Sequence, residues 1–190
     1  QELALIQSLD VPGVVRARGL MDVHGEPALV LDDPGGSSLE HELSSAPIAF
    51  EKKLDIALRL TAIVGTIHRS GVVHRGLQPS GILWNSADDR LAVIVFSLAT
   101  RATRDLASSA GPGALVGTPH YLSPEQTGRL GMVVDRRSDL YSLGATLYRL
   151  FSGRPPFEGQ DIAPLLHAHV ARVPERADAV TPGLPPIVAS

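Results

Sequence analysis

The chain has 190 residues, 44% of them apolar and 19% charged, which is enough apolar side chain to build one hydrophobic core. A formal charge of −3 provides no broad basic field for nucleic acid or an anionic membrane; zero cysteines exclude disulfides, thiolate metal sites and a cysteine nucleophile, and fit a cytoplasmic location. The longest apolar run, around Leu91 to Phe96, is far shorter than a membrane-spanning helix, and Gln1-Glu2 open no charged leader followed by an apolar stretch.

In chain order, strand-like segments run from Val14 to Leu20 and from Pro27 to Leu31. The spacing predicts a helix from Glu51 to His68, where Leu54, Ala57, Leu58, Thr61, Val64 and Ile67 recur at three- and four-residue steps. Ser70-Gly71 ends it by supplying a residue suited to a left-handed C-terminal position. Two short apolar runs, Gly81 to Trp84 and Leu91 to Phe96, flank Asn85-Ser86-Ala87-Asp88-Asp89-Arg90 and predict a hairpin, with Asp88 and Asp89 in its surface turn and Trp84 in the core. Thr100 to Gly113 is rich in Ser, Ala and Gly, the composition of a mobile connection. A second helix is expected from Ser138 to Leu150, capped by Ser138 and burying Leu140, Leu143, Leu147 and Leu150. His167-Ala168-His169 is no metal pair, because i and i+2 point to different sides of a helix and no third ligand lies nearby in sequence. From Pro174 onward, with Pro182, Pro185 and Pro186, a loop is expected, and no internal repeat is visible.

Five blocks carry the identity. They are His74-Arg75-Gly76-Leu77-Gln78-Pro79-Ser80-Gly81-Ile82-Leu83, then Val95-Phe96-Ser97-Leu98-Ala99, then Gly117-Thr118-Pro119-His120-Tyr121-Leu122-Ser123-Pro124-Glu125, then the run from Asp135 to Gly144, then Gly153-Arg154-Pro155-Pro156-Phe157. In that order they resemble the Ser/Thr protein kinase superfamily: its catalytic loop H-R-D-L-K-P-x-N-I-L, its D-F-G-x-A, its G-T-x-x-Y-x-A-P-E, the buried helix that follows and the G-x-x-P-F turn. The resemblance implies an α+β, protein-kinase-like fold, mostly the α-rich C-lobe with a truncated N-lobe. Residues 1–33 would be a remnant of the N-lobe, comprising the end of helix C (Glu2 to Leu9), two strands and the hinge Leu31-Asp32-Asp33 that borders adenine. Residues 34–190 would be the C-lobe, truncated at its C-terminal end, so that the Gly-rich loop, the strand lysine and the arginine partner of Glu125 fall outside the chain. Within the superfamily, Pro124-Glu125-Gln126-Thr127-Gly128-Arg129, the stretch Leu166 to Arg172 and the opening Leu9 to Val15 resemble the N-terminal kinase-like domain of large bacterial hybrid sensor histidine kinases.

The departures from the pattern fall on the chemistry. Where the family has its Asp base, its Lys and its two magnesium-binding residues, this chain has Gly76, Gln78, Gly81 and Val95. A positioned base alone contributes about 10²- to 10⁴-fold in rate. Gly76 cannot accept a proton, Gly81 and Val95 offer no hard oxygen to a cation, and Gln78 can donate a hydrogen bond but carries no charge. The expectation is a pseudokinase with no intact catalytic residue, no metal and no cofactor, acting as a regulatory or interaction module for other domains of the same signalling polypeptide or for a partner protein. ATP and magnesium enter only under the alternative, an active or weakly active ATP-dependent Ser/Thr kinase domain. The resemblance assigns structural roles to Glu2, His74, Arg75, Phe96, Thr118, Glu125 and Asp139. His74 and Phe96 would stack with Ile6 and Ala17 in the regulatory spine, and Asp139 would hydrogen-bond the catalytic-loop backbone. Arg75 is the position that receives a phosphorylated activation segment, with Thr100, Thr103, Ser108 and Ser109 as the available hydroxyls, although such a switch has little to control without the base.

Overall fold

The computed structural model describes residues 2–101, 118–128 and 131–188. It opens with a short helix, α1 (Glu2–Gln7), which buries Leu5 and Ile6. Strands β1 (Ala17–Val23) and β2 (Glu26–Leu31) then form an antiparallel hairpin whose turn, His24-Gly25, has positive φ at both residues, the geometry that matches strand twist in a two-residue turn. After it come β3 (Ser37–Ser38), α2 (Leu39–Ser45), the long α3 (Phe50–Arg69), β4 (Val72–Val73), β5 (Ile82–Asn85), β6 (Arg90–Val93) and β7 (Thr100–Arg101). Three helices follow: α4 (Arg136–Ser152), α5 (Ile162–Ala171) and α6 (Ala177–Val180). The strands make three small sheets, β1-β2, β3-β5-β6 and β4-β7, and all their pairings are antiparallel. The expected loop after Pro174 therefore contains α6 and a further 3-10 turn at Pro186–Val188.

The first strand starts later than the apolar run suggested, because Val14 and Val15 are recruited elsewhere. The Val15 N–H donates to the Val93 carbonyl at 3.2 Å and the Val93 N–H to the Gly13 carbonyl at 2.7 Å, which ties the segment after α1 to the edge of β6. Helix α3 is the hub of the core. Its buried face is Ile56, Leu60, Ile63, Val64 and Ile67, packed in one cluster with Ile82, Val93, Leu143 and Leu150. Leu54 and Leu58, which share the predicted periodicity, are instead 39% and 65% exposed. The sequence of α3 contains two overlapping apolar stripes, and packing against α4 and β6 selects the one through Ile56 and Leu60.

Helix α4 corrects two further expectations. Its N-cap is Asp135, whose carboxylate accepts from the Arg137 N–H at 2.8 Å, while Ser138 is fully buried inside the helix. Leu140 is 55% exposed, and the buried face carries Ser138, Asp139, Ser142 and Thr146 among its apolar residues. A helix surrounded by loop backbone needs hydrogen-bonding side chains on its buried face, since each carbonyl or N–H removed from water must find a partner. Ser142 illustrates this by donating to the Tyr121 carbonyl at 2.7 Å.

Gly36 fixes the approach of β3 to the ribbon formed by β5 and β6. It sits at φ +81°, and a Cβ there would fall against the Trp84 carbonyl oxygen and within 2.6 Å of the Asn85 Cα. Gly25, at φ +87°, faces open space. Gly36→Ala is accordingly expected to destabilise the protein by about 2–4 kcal/mol in urea unfolding, against about 1 kcal/mol for Gly25→Ala; equal losses would contradict this packing.

Candidate functional site

The segment from His74 to Gly81 leaves β4 and enters β5, while the segment from Ile94 to Ala99 joins β6 to β7. Because β4 pairs with β7 and β5 with β6, the two loops are held side by side at both ends. A bond from the Ile94 N–H to the Gly81 carbonyl, 2.9 Å, closes the gap between them. A Cβ placed on Gly81 would lie 3.9 Å from the Val95 Cβ and 3.9 Å from the Gln78 Cγ, so three positions far apart in sequence converge on one small volume. A Cβ on Gly76 would meet only the Leu98 side chain, at 3.5 Å, and His74 Nδ1, at 3.9 Å. Beside Gly76, bordered by Arg75, Gln78, Thr118 and Tyr121, is a void of about 10 Å³, room for a single water. Val95 adopts φ +64°, a left-handed conformation that a β-branched residue occupies only under strain, with its side chain 39% exposed.

Asp139 organises the backbone around this volume. Its carboxylate is fully buried and accepts the His74 N–H at 2.8 Å, the Arg75 N–H at 2.7 Å and His68 Nε2–H at 2.8 Å. Arg75 is left-handed, φ +65°, and its carbonyl accepts from Gln126 Nε2 at 2.7 Å. The same Gln126 accepts from the N–H and hydroxyl of Ser123, closing a capping box on the turn Pro124–Thr127. The His74 ring stacks edge-on to Phe96 with centroids 4.6 Å apart, donates from Nε2 to the Ile94 carbonyl at 3.2 Å and receives the Gly76 N–H on Nδ1 at 3.2 Å. Burial pushes the His74 pKa down, which keeps the ring neutral and consistent with that pattern of one donor and one acceptor. Ile6 and Ala17 belong to, or pack against, the same core cluster as Phe96.

The remaining predicted positions are more ordinary. Glu2 opens α1 with no ion pair among the described residues, and the Arg75 guanidinium has none either. Thr118 caps the turn Pro119–Tyr121 through its carbonyl, which accepts the Tyr121 N–H at 3.0 Å. The Glu125 carboxylate accepts the Ser138 hydroxyl. At the expected hinge, the Leu31 position pairs with Ala17, the Asp32 side chain is ion-paired with Arg18, and Asp33 accepts the Gly35 N–H at 2.7 Å. Thr100 lies in β7, paired with Val73, whereas Thr103, Ser108, Ser109, Gly117 and Arg129 lie outside the described residues.

Neither carboxylate of the hairpin turn is free to bind a cation. Asp88 is bonded to Arg90 at 2.6 Å; Asp89 takes Lys52 at 2.9 Å, the Trp84 indole N–H at 3.1 Å and Arg59 at 3.3 Å. Lys52 first, then the indole N–H, hold the Asp89 carboxyl below its usual range. The turn thus anchors the ribbon to α3, and Trp84 is 7% exposed. His169 is buried against the Phe157 ring, centroids 5.0 Å apart, with Nδ1 2.7 Å from the Tyr141 hydroxyl, while His167 is exposed. Among the described residues no group of three or more His, Cys, Asp or Glu side chains could hold a metal ion.

Two residues of this framework escaped the sequence reading. Gln126 carried a signal, since Ser123-Pro124-Glu125-Gln126 is the S-x-x-Q pattern of a capping box. His68 carried none, as its bond to Asp139 spans 71 positions.

Comparison with known proteins supplies the deciding observation: the family profile described as Protein kinase domain matches residues 1–181. The chain belongs to the protein kinase family. It is 33% identical over 187 residues to Serine/threonine-protein kinase pkn2 of Myxococcus xanthus, covering 97% of this chain and 22% of that protein. Serine/threonine-protein kinase PknB of Mycobacterium leprae is 34% identical over 149 residues, 78% of this chain and 23% of that protein. Probable serine/threonine-protein kinase PknB of Bifidobacterium longum is 40% identical over 118 residues, 62% of this chain and 17% of that protein. The chain therefore spans less than a quarter of the length of each of these relatives. As a Ser/Thr protein kinase-like domain it has mixed helix and strand content, and among the described residues no helix is long and apolar enough to cross a membrane.

Two substitutions test the framework. Asp139→Ala removes the acceptor of the His74 and Arg75 N–H groups and of the His68 ring, and is expected to cost about 3–5 kcal/mol in urea unfolding; a loss under 1 kcal/mol would contradict the clamp. Val95→Asn, which suits φ +64° better, is expected to raise stability by about 1 kcal/mol, and a decrease of that size would show that the valine is not strained.

Proposed function

We propose that this chain is a pseudokinase segment of a bacterial signalling protein, cytoplasmic, and that it works as a regulatory or interaction module for other domains of the same polypeptide or for a partner protein. On this reading residues 1–33 are the inner part of the N-lobe with the hinge at Leu31, Asp32 and Asp33, residues 34–190 are the C-lobe, and the parent is a hybrid sensor histidine kinase. The observation that carries the proposal is the convergence of Gly81, Gln78 and Val95. The β-carbon of a residue at position 81 would stand 3.9 Å from that of Val95, yet neither residue has a side-chain oxygen. Magnesium needs hard oxygen ligands near 2.0–2.1 Å in an octahedral shell. Phosphoryl transfer depends on positioning and on neutralising charge, so losing the base, the lysine position and both metal ligands removes most of what the protein contributes. The intact Asp139 clamp and the His74–Phe96 stack support a retained scaffold.

A second reading, an active or weakly active ATP-dependent Ser/Thr kinase, is favoured by one observation: the relatives above are named serine/threonine-protein kinases. Thermal shift with ATP separates the two. The pseudokinase reading predicts that any shift is the same with magnesium and with a chelator, and that Gly81→Asn combined with Val95→Asp creates a magnesium-dependent increment. A magnesium-dependent shift in the unsubstituted protein, together with radiolabelled phosphate transfer by the full parent polypeptide that disappears only when this domain is deleted, would establish the kinase reading instead.

A further inference from the structure

Helix α3 leaves its second apolar stripe in solvent. Leu54 and Leu58 are 39% and 65% exposed, and Thr61 and Ala62 beside them are exposed as well. The stripe begins at Glu51, ends at Arg69 and steps through Leu54, Leu58, Thr61 and Gly65 by three or four residues, so with Ala62 it occupies about 100° of the helix circumference. The Thr61 hydroxyl is satisfied inside the helix, donating to the Ala57 carbonyl at 2.8 Å. On one flank the charges are compensated, since Lys52, Asp55, Arg59 and Asp89 form one ion-pair network with contacts between 2.9 and 3.6 Å.

Two features of the stripe have no explanation within one copy of the chain. Gly65 lies in the interior of a 20-residue helix, where glycine is much less favourable than alanine, yet a Cβ there would meet only the Arg69 guanidinium, at 3.5 Å, the flexible end of an exposed side chain. Internal packing does not demand that glycine. Glu51 and Arg69, at opposite ends of the stripe, have no ion pair among the described residues, and Arg69 folds back to donate to Thr66 Oγ1 at 2.7 Å. Both features are accounted for if a second copy packs antiparallel across a two-fold axis passing between Leu58 and Ala62. Positions equidistant from Leu60 along the helix then face one another: Leu58 seats beside Ala62, Leu54 over Gly65 and Thr66, and Glu51 against Arg69. Each large side chain meets a small one and each end charge meets its opposite, twice by symmetry. A parallel arrangement would set Glu51 beside Glu51 and leucine on leucine, so the charges select the antiparallel pairing.

We propose that the outer face of α3 is a self-association surface on which a second copy of this chain packs antiparallel, α3 against α3. A single helix pair is a small interface, so the association is weak and concentration-dependent. It uses none of the loops around Gly76, Gly81 and Val95, so this pairing and the pseudokinase reading can fail independently. Sedimentation velocity of the full 190-residue chain from micromolar to millimolar concentration is expected to show reversible monomer–dimer exchange. Leu58→Glu is expected to weaken it about tenfold or more, and Glu51→Arg about three- to thirtyfold, with Arg69→Glu added to Glu51→Arg restoring it. Gly65→Gln separates association from folding: it is expected to raise the urea midpoint of the monomer while weakening the dimer about tenfold. Because the chain has no cysteine, orientation is read by cross-linking. An equal mixture of Glu51→Cys and Arg69→Cys treated with a short bismaleimide is expected to give the mixed dimer, and neither variant alone a dimer. A monomer at every concentration, a dimer unaffected by Leu58→Glu or Gly65→Gln, a second charge swap that fails to restore association, or Glu51→Cys cross-linked to itself in place of Arg69→Cys would each overturn the proposal.

Discussion

One buried carboxylate holds the central loop in place. Asp139 receives two consecutive backbone N–H groups, from His74 and Arg75, and the imidazole of His68, thereby joining α4, α3 and the loop at one point. Its hydrogen bonds fix backbone, not side chains. Arg75 is held in a left-handed conformation that costs about 1–2 kcal/mol for a non-glycine residue, which turns its carbonyl to Gln126 and places His74 against Phe96. The shape of the loop is therefore independent of what stands at positions 76, 78 and 81. A kinase-family chain can lose the groups that handle phosphate and metal at those positions without losing the loop.

The substituted positions bear the marks of that independence. Gly76 and Gly81 are not demanded by close packing, since a β-carbon at either would make ordinary contacts only. Val95 is the converse case: its backbone keeps φ +64°, a conformation easier for Asn, Asp or Gly, although the residue is now β-branched. Among positions 76, 78, 81 and 95, only Val95 keeps a strained backbone angle. Elsewhere much of the polar interior is paired across elements, although the Thr146 hydroxyl and His169 Nε2 are buried with no hydrogen-bond partner. Ser142 serves the Tyr121 carbonyl, Ser138 serves Glu125, and Glu40 pairs with Arg149 at 2.8 Å to join α2 to α4.

Local chemistry made much of this legible in the sequence. The helix around Glu51 to His68, its stop at Ser70-Gly71, the ribbon across Asn85 to Arg90 and the order of the motif blocks each depend on near neighbours in the chain, and each appears at the expected place within a few residues. What was hidden depends on distant partners. Leu54, Leu58 and Leu140 satisfy a helical apolar repeat but face outward, because the choice between two apolar stripes on α3, and the use of polar side chains on the buried face of α4, are made by segments far away in sequence. Asp135 outcompetes Ser138 as the cap because Ser138 is committed to Glu125. In the site, the catalytic-loop positions could be read as motif letters, whereas the His68 contact with Asp139 became visible only in three dimensions.

The central claim is that the cleft beside Gly81 and Val95 has lost its ability to hold a divalent cation on a nucleotide. Electron paramagnetic resonance of Mn²⁺ titrated with ATP and the full protein reads that directly. The account predicts a spectrum identical to that of the manganese–ATP complex in buffer at every protein concentration. A saturable, protein-dependent change in the manganese signal that requires ATP would contradict it.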